Sequence, residues 1–286
     1  MTPASVSICL SGDDNFVPYI GTLIVSILEN TNAAVDFYLL HETLKPENKR
    51  ALSDIVGRYK NASLHFISIG GFDFYQQIGA WTSAILYRLK APDVLSHLDK
   101  VIYLDGDMIA VDDIQKLWDI PLGDNYLGAC YGLDITGDLG DLDPLKTVKT
   151  YFNSGMLLMN LKQMRADDIG NKCISFLKTE GKRAKAPDQD ALNLICAGRI
   201  KPVNLQWNYY ISLDRRSHRS KQKIFGSYLP KKPSIIHYYT VYKPVRFFWY
   251  VTHPVASIQI ARKNMLFFKY LNKTPWRMKK EFHIKF

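Results

Sequence analysis

The chain reads as an α/β protein built on a mainly parallel, doubly wound sheet, and three features predict this. Short apolar runs rich in Val, Ile and Leu alternate with amphipathic stretches from residue 6 onward, the spacing of β-α-β units. The acidic or Asn-containing turns fall where the apolar runs end, which is where open α/β sheets bind ligands. At 286 residues with 47% hydrophobic and 13% aromatic content, the chain is long enough to bury one large core.

The elements follow in order. Val6 to Leu10 is the first predicted strand, then the polar turn Ser11-Gly12-Asp13-Asp14-Asn15 and an amphipathic helix from Tyr19 to Glu29. A strand over Val35 to Leu40 leads to a helix opened by Pro46 and ending near Tyr59, and to a strand over Ser63 to Ile69. The run VIYLDGDMIAV, Val101 to Val111, is a buried strand interrupted by Asp105-Gly106-Asp107. A helical turn at Ile114 to Trp118 precedes a strand over Tyr126 to Tyr131. Gly132 to Lys149 is rich in Gly and Asp without periodicity and suits a mobile loop over a site. YFNSGMLLMNL, Tyr151 to Leu161, is too apolar for a surface segment and reads as a buried strand with Asn153-Ser154-Gly155 at its working end. Helices are expected over Asp168 to Thr179 and after Pro187-Asp188-Gln189-Asp190. The one plausible boundary lies near Lys243 to Phe247, dividing residues 1–245 from a C-terminal segment, 246–286.

Composition excludes several classes. Cys9, Cys130, Cys173 and Cys196 stand far apart without a CxxC pair, each in an apolar segment, as expected of reduced core thiols in a cytosolic protein. The start MTPASVSICLSGDDN lacks the features of a signal peptide, and no run reaches the roughly eighteen apolar residues of a membrane span. The net charge of +10 is concentrated at one end: from Lys243 onward ten Lys or Arg face one acid, Glu281, leaving 27 basic and 26 acidic residues before it. Phe247-Phe248-Trp249-Tyr250, Phe267, Phe268, Tyr270 and Trp276 interleave with these cations. Cations among aromatic rings fit an anionic lipid surface in preference to nucleic acid. An ordinary helix packing Ile258, Ala261, Met265 and Phe268 onto the body is the structural alternative.

Asp105 and Asp107 carry the chemistry most directly. Adjacent carboxylates at a strand end are costly to desolvate unless a cation neutralises them, and hard oxygen ligands favour Mn²⁺ or Mg²⁺. The same tripeptide can instead be a turn with Asp107 as a cap, Asp188 can be a helix cap, and His237 a hydrogen-bonded core histidine.

Taken in sequence, SGDDN at Ser11, YRLKAPDVL at Tyr87, DKVIYLDGDMIAVDDIQKLWD at Asp99, LGDNYLGA at Leu122, YFNSGMLLMNL at Tyr151, PDQDALN at Pro187 and HYYTVYKP at His237 resemble the family 8 glycosyltransferases. The resemblance is greatest to bacterial lipopolysaccharide α-galactosyl- and α-glucosyltransferases and covers residues 6 to 244. It implies a GT-A type, Rossmann-like nucleotide-sugar-binding domain followed by a basic, aromatic helical tail. It also implies a retaining transferase that uses a UDP-hexose donor and Mn²⁺, with Mg²⁺ as the substitute. By position Asp13 and Asn15 would bond the uracil and Phe16 would stack on it. Asp105, Asp107 and His237 would ligate the metal, and Lys243 would reach the diphosphate. Arg88, Asn153, Asp188 and Gln189 would surround the sugar, with Ser11, Gly106, Ser154 and Thr240 completing the donor-facing set. The catalytic position would fall on Gln189 with its neighbours Asp188 and Asp190.

Three positions depart from the family pattern: Thr240 and Val245 replace Gly and Trp of HYxGxxKPW, and Gly132 replaces an Asp that galactosyltransferases use to hold a terminal galactose. The resemblance leaves hexose and acceptor open. The expected partners are a UDP-hexose, a saccharide or glycolipid acceptor and an anionic membrane, with no nucleic acid. The expected location is cytoplasmic, peripheral on the inner face of the cell membrane. A glycogenin-like self-glucosylating protein and a non-catalytic sugar-nucleotide-binding module are the alternatives.

Overall fold

A computed structural model of the chain describes residues 5–70, 72, 82–132, 142–143, 147–215, 218–239 and 257–276. The first half is β1 (Val6–Ser11), α1 (Val17–Leu28), β2 (Val35–His41), α2 (Pro46–Val56), β3 (Ala62–Ser68), a 3₁₀ segment (Ser83–Lys90), α3 (Ala91–Val94), β4 (Lys100–Leu104) and β5 (Met108–Ala110). There follow α4 (Gln115–Trp118), β6 (Leu127–Tyr131), β7 (Phe152–Asn160), α5 (Leu161–Ala166), α6 (Ile169–Glu180), α7 (Pro187–Ile195) and β8 (Ile200–Pro202). Then come β9 (Tyr209–Tyr210), α8 (His218–Phe225), β10 (Ile235–His237) and α9 (Ser257–Leu271).

The main sheet has seven strands in the order β3-β2-β1-β4-β7-β6-β8. All neighbours are parallel except at β7, which runs antiparallel to both β4 and β6. The expected doubly wound, mainly parallel sheet is therefore present with one reversed strand. That reversal matters for the site: β7 begins at the edge where β1 and β4 finish, so Asn153-Ser154-Gly155 sits at the ligand side as the start of a strand.

Alternation along the strands separates two cores. Ile8, Leu10, Ile102 and Leu104 face a layer containing α1, α2 and α9, whereas Cys9, Val101 and Tyr103 face one containing α3, α5, α6 and α7. All four cysteines are buried and unpaired as thiols, as expected of core residues.

The segment Val101–Val111 does not continue as one strand. Asp105-Gly106-Asp107 turns the chain out of the main sheet, and β5 joins a second sheet of order β5-β10-β9. In it Met108 pairs with His237, and Tyr238 N–H donates to Asp107 O at 2.9 Å. This register brings His237 beside an aspartate 130 positions earlier in the chain.

The C-terminal helix packs on the body by a different face from the expected one. Met265 and Phe268 are 66% and 38% exposed, while Asn264, Phe267, Tyr270 and Leu271 are buried. The Met265 and Phe268 stripe of the structural alternative faces outward because α9 is apolar on both sides, and α1 selects the Phe267 side through a Tyr19–Phe267 ring contact at 5.6 Å. Trp276 lies over Gly21, where a Cβ would fall 2.5 Å from its Cζ3. Most of the loop expected over the site, most of the tail, Thr240, Lys243 and the boundary at 243–247 lie outside the described residues.

Candidate active site

Arg88 organises the acidic end of the sheet. It is 3% exposed, near the end of the 3₁₀ segment. Its Nη2 donates to Asp105 Oδ1 at 2.8 Å, while Nη1 donates to Ser154 O at 2.6 Å and lies 3.3 Å from Asp188 Oδ2. Nε donates to Ile85 O at 3.0 Å, and the guanidinium lies 4.4 Å from the Tyr103 ring centroid. Burial works against the charge, but Asp105 and Asp188 outweigh it and hold Arg88 more firmly protonated than usual. Tyr103 Oη donates to Asp105 Oδ1 at 3.1 Å and lies 2.6 Å from Ser11 Oγ, so Ser11 supports Tyr103 from β1.

Asp105, Asp107 and His237 form the one Asp/Glu/His/Cys group among the described residues whose ligand atoms all lie within 4.8 Å. His237 Nε2 is 3.2 Å from Asp107 Oδ1 and 4.0 Å from Asp105 Oδ2. Adjacent ligand atoms around an octahedral ion with bonds of about 2.1 Å are roughly 3 Å apart, so the spacing suits a divalent cation. Gly155 leaves the space: a Cβ there would lie 2.7 Å from His237 Cε1 and 2.8 Å from Asp105 Oδ2. Charge supports the same fit, because three carboxylates, Asp105, Asp107 and Asp188, converge beside His237, with Arg88 bridging two of them. Burial first, and then Asp107, push the Asp105 carboxyl above its ordinary range against Arg88 and His237; burial also raises Asp188 against Arg88. Both shifts express the cost of ionised carboxylates short of counter-charge.

Of the residues expected to face a donor, Asn153, Ser154, Asp188 and Gln189 are joined to one another. Ser154 Oγ donates to Asp188 Oδ2 at 2.7 Å. Gln189 Oε1 accepts from Asn153 Nδ2 at 2.8 Å and from Ser154 N–H at 3.1 Å. Asp188 is not the helix cap: Ala186 occupies that position, and Asp188 lies in the first turn of α7, turned to Arg88 and Ser154.

Asp190 departs from its expected catalytic place. Its Oδ2 accepts from Lys185 N–H at 2.9 Å and Ala186 N–H at 3.1 Å, and Oδ1 accepts from Tyr151 Oη. It is 3% exposed and ties the entry of α7 to β7, a backbone-holding role.

Asp13, Asn15 and Phe16 form the β1–α1 turn at this edge. Asp13 Oδ1 accepts from Asn15 N–H at 2.9 Å and Phe16 N–H at 3.2 Å, closing the turn, and Asn15 is exposed. Gly106 packs this turn against the acidic one: a Cβ on it would meet Ile20 Cγ1 at 2.9 Å and Phe16 Cδ1 at 3.3 Å. A packing glycine is thus the structure's account of Gly106. Residues that sequence reasoning missed are Tyr103 and Asn208, and it gave Gly155 no role in leaving space beside His237 and Asp105. Asn208, in NLQWNYY, carried no motif, because its neighbours in the site come from distant segments.

The model of "Glycosyl transferase family 8" matches residues 7–246. A putative glycosyltransferase of Haemophilus influenzae is 30% identical over 212 residues, 72% of this chain and 63% of that protein, so the chain spans under two thirds of that relative. A lipopolysaccharide 1,2-glucosyltransferase of Escherichia coli is 25% identical over 272 residues, 93% of this chain and 77% of that one. The structure of the galactosyltransferase LgtC with donor and acceptor sugar analogues superposes with a TM-score of 0.76 at 24% identity, covering 94% of this chain and 96% of that one. Its fold is therefore shared.

Proposed function

Since the chain belongs to glycosyl transferase family 8, we propose that it moves a hexose, galactose or glucose, from a UDP-hexose to a lipopolysaccharide or other surface-glycan acceptor, with retention and an α-linkage. The observation that carries this reading is the buried Arg88 bridging Asp105 and Asp188, with Asp107 and His237 on one side and Gln189 on the other. Carboxylates and an imidazole able to hold a cation stand next to amides able to face a sugar, a combination that supports departure of a diphosphate.

Transfer breaks the bond between the anomeric carbon and the diphosphate and forms one to an acceptor hydroxyl. Positive charge grows at the carbon and negative charge on the phosphate. A divalent cation held by Asp105, Asp107 and His237, Mn²⁺ with Mg²⁺ as the substitute, supplies electrostatic stabilisation of that leaving group when bound. Arg88 fixes the carboxylates of Asp105 and Asp188, Asn153 and Ser154 hold Gln189 toward the sugar, and Lys243 and Thr240 are assigned to the diphosphate. Asp13, Asn15 and Phe16 are assigned to the uracil.

Retention is supported by where the carboxylates of α7 are spent. Inversion needs a general base opposite the leaving group. Asp188 is paired with Arg88, Asp190 with backbone N–H groups, and the Gln189 amide is a poor base. The departing phosphate then takes the acceptor proton on its own face.

Membrane attachment belongs to the same reading. The outward side of α9 carries exposed Met265 and Phe268 beside exposed Arg262 and Lys269, a combination that supports docking on an anionic surface and a peripheral place on the inner face of the cell membrane. No helix among the described residues is long and apolar enough to cross a membrane.

The test is UDP release from a panel of UDP-sugars, with Mn²⁺ or excess chelator and with or without lipid-linked oligosaccharide acceptors. Metal-dependent release stimulated by acceptor is expected, with a small anomeric proton coupling in a gluco or galacto product. Undiminished turnover in chelator would remove the metal, and a large diaxial coupling would remove retention.

A further inference from the structure

We propose that Asn208 is a positioning residue that sets the His237 tautomer and links it, through hydrogen-bonded amides, to Gln189. The inference rests on the reading of Asp105, Asp107 and His237 as a cation site and adds a residue to its machinery. Asn208 is fully buried at the end of a 3₁₀ turn, Leu205–Asn208, that leads into β9. Its Oδ1 lies 2.8 Å from His237 Nδ1, and its Nδ2 donates to Asn153 Oδ1 at 2.7 Å. Asn153 Nδ2 donates in turn to Gln189 Oε1 at 2.8 Å.

The direction of this chain is dictated by two backbone groups. Ser154 N–H lies 3.1 Å from the Gln189 amide, and a backbone N–H can only donate, so the Gln189 atom there is its oxygen. The group that Asn153 turns to that oxygen must then be its NH₂. Gly155 N–H fixes the other end of the same amide, donating to Asn153 Oδ1 at 2.9 Å. Asn208 must therefore present its own NH₂ to Asn153 Oδ1 and its oxygen to His237. An oxygen facing Nδ1 requires the proton on Nδ1, which in the neutral ring leaves a lone pair on Nε2.

That lone pair faces Asp107 Oδ1 at 3.2 Å. Two acceptors at this distance repel unless a cation or proton lies between them. Two N–H groups of β7 thus orient a ligand on β10 through two asparagines, and the same amides hold Gln189. Loss of such outer partners typically lowers metal affinity by about 10- to 100-fold.

Full-length protein labelled with ¹⁵N-histidine gives the first readout, which needs neither metal nor turnover. In metal-free wild type, long-range ¹H–¹⁵N correlations should show His237 protonated at Nδ1, the nitrogen facing Asn208, whether or not a proton also lies between Nε2 and Asp107. Asn208→Ala should mix or reverse the tautomers and weaken Mn²⁺ binding, titrated by electron paramagnetic resonance, at least about tenfold. Asn208→Asp keeps the oxygen for Nδ1–H but cannot donate to Asn153. It should retain the tautomer and bind Mn²⁺ at least as tightly as wild type, yet lower kcat about tenfold or more with little change in KM for donor.

An unchanged Nδ1–H tautomer and Mn²⁺ affinity in Asn208→Ala would overturn the proposal. Should that variant not fold, Asn208→Asp decides: wild-type kcat would remove the link to Gln189, and loss of the tautomer would remove the link to His237. Failure of wild type to bind Mn²⁺ or Mg²⁺ would defeat the cation reading, while the tautomer in metal-free protein would still judge the relay.

Discussion

Arg88 is the residue on which both charge and geometry converge, and its replacement separates those contributions. Arg88→Met would leave Asp105 and Asp188 without their shared guanidinium, and removing one member of a buried ion network costs about 3 kcal/mol or more at neutral pH. The sign of its pH dependence follows from the carboxyls. Both are already raised above the ordinary value of 3.8, and the substitution raises them further, so the folded variant binds protons that the unfolded chain has released. The deficit is full above the raised values and shrinks as pH falls through them toward 3.8. Denaturant unfolding of both proteins across the mildly acid range checks this; a deficit constant with pH would contradict it. Arg88→Lys should keep much of the stability yet lose at least about tenfold in turnover, because an ammonium cannot span both carboxylates in the plane of a guanidinium. At the Asp105, Asp107 and His237 cluster, Asp105→Asn and Asp107→Asn should each lower turnover by about 10² or more, a few kcal/mol of transition-state stabilisation. Gly155→Ala should weaken Mn²⁺ binding although Gly155 offers no ligand, since its Cβ would lie 2.8 Å from Asp105 Oδ2.

At the scale of elements, α9 and the segment after it behave as part of the core. Lys273 Nζ lies 2.6 Å from Glu29 Oε2, Arg58 Nη1 donates to Lys273 O at 2.8 Å, and Asn30 Nδ2 donates to Tyr270 Oη at 2.9 Å. The Lys273 hydrogen bond, against some burial, holds the Glu29 carboxyl below its ordinary value of 4.5. A depressed acid stabilises the fold above its unfolded pKa and loses that contribution as pH falls through the folded one. Glu29→Gln should therefore have a lower Tm than wild type near neutrality, and the difference should vanish below the ordinary carboxylate range. The effect is at most about 1 kcal/mol, because the pair is partly exposed and screened. A difference that persists at pH 2 would show that the ion pair is not its source. Asn160 caps α5 by accepting from Gln163 N–H at 3.1 Å, and Asp190 binds the entry to α7, so the elements flanking the site are stopped by side chains readable as polar punctuation.

For the whole molecule, the C-terminal helix and the layer of α1 and α2 are one packing unit. Truncation at 246 would strip Phe267, Tyr270, Leu271 and Trp276 from α1, a helix buried along nearly its whole length. The expectation from charge alone is that such truncation releases the enzyme from membranes and leaves its chemistry intact. Packing predicts instead a marked loss of stability. Trp276→Ala alone should cost about 3 kcal/mol, seen as a lower urea midpoint at unchanged m. Membrane contact is better tested by Met265→Ser with Phe268→Ser, which changes exposed side chains. That protein should keep its Tm and sediment less with anionic vesicles, whereas equal sedimentation at low salt would count against the docking face.

The strands, most helices and the acidic turn were legible in the sequence because they depend on local patterning. Apolar runs of strand length, Pro46 and Pro187 at helix starts, and Asp105-Gly106-Asp107 closing a buried run each carry their own signal over a few residues. The segments that resemble a known family also marked Arg88, Asn153, Asp188, Gln189 and His237, all of which the fold brings together. What the sequence left undecided depends on partners far along the chain. Helix α9 has apolar residues on two sides, so only contact with α1 chose between them. Asp190 looks like a carboxylate of the site until the backbone of Lys185 and Ala186 claims it. Asn208 has no local mark, because its role exists only once β7 and β10 bring Asn153 and His237 to either side of its amide. Local pattern selects elements through short-range sterics and burial, whereas side-chain direction and hydrogen-bond partnership are settled only when the sheet closes and every buried polar group must find a partner.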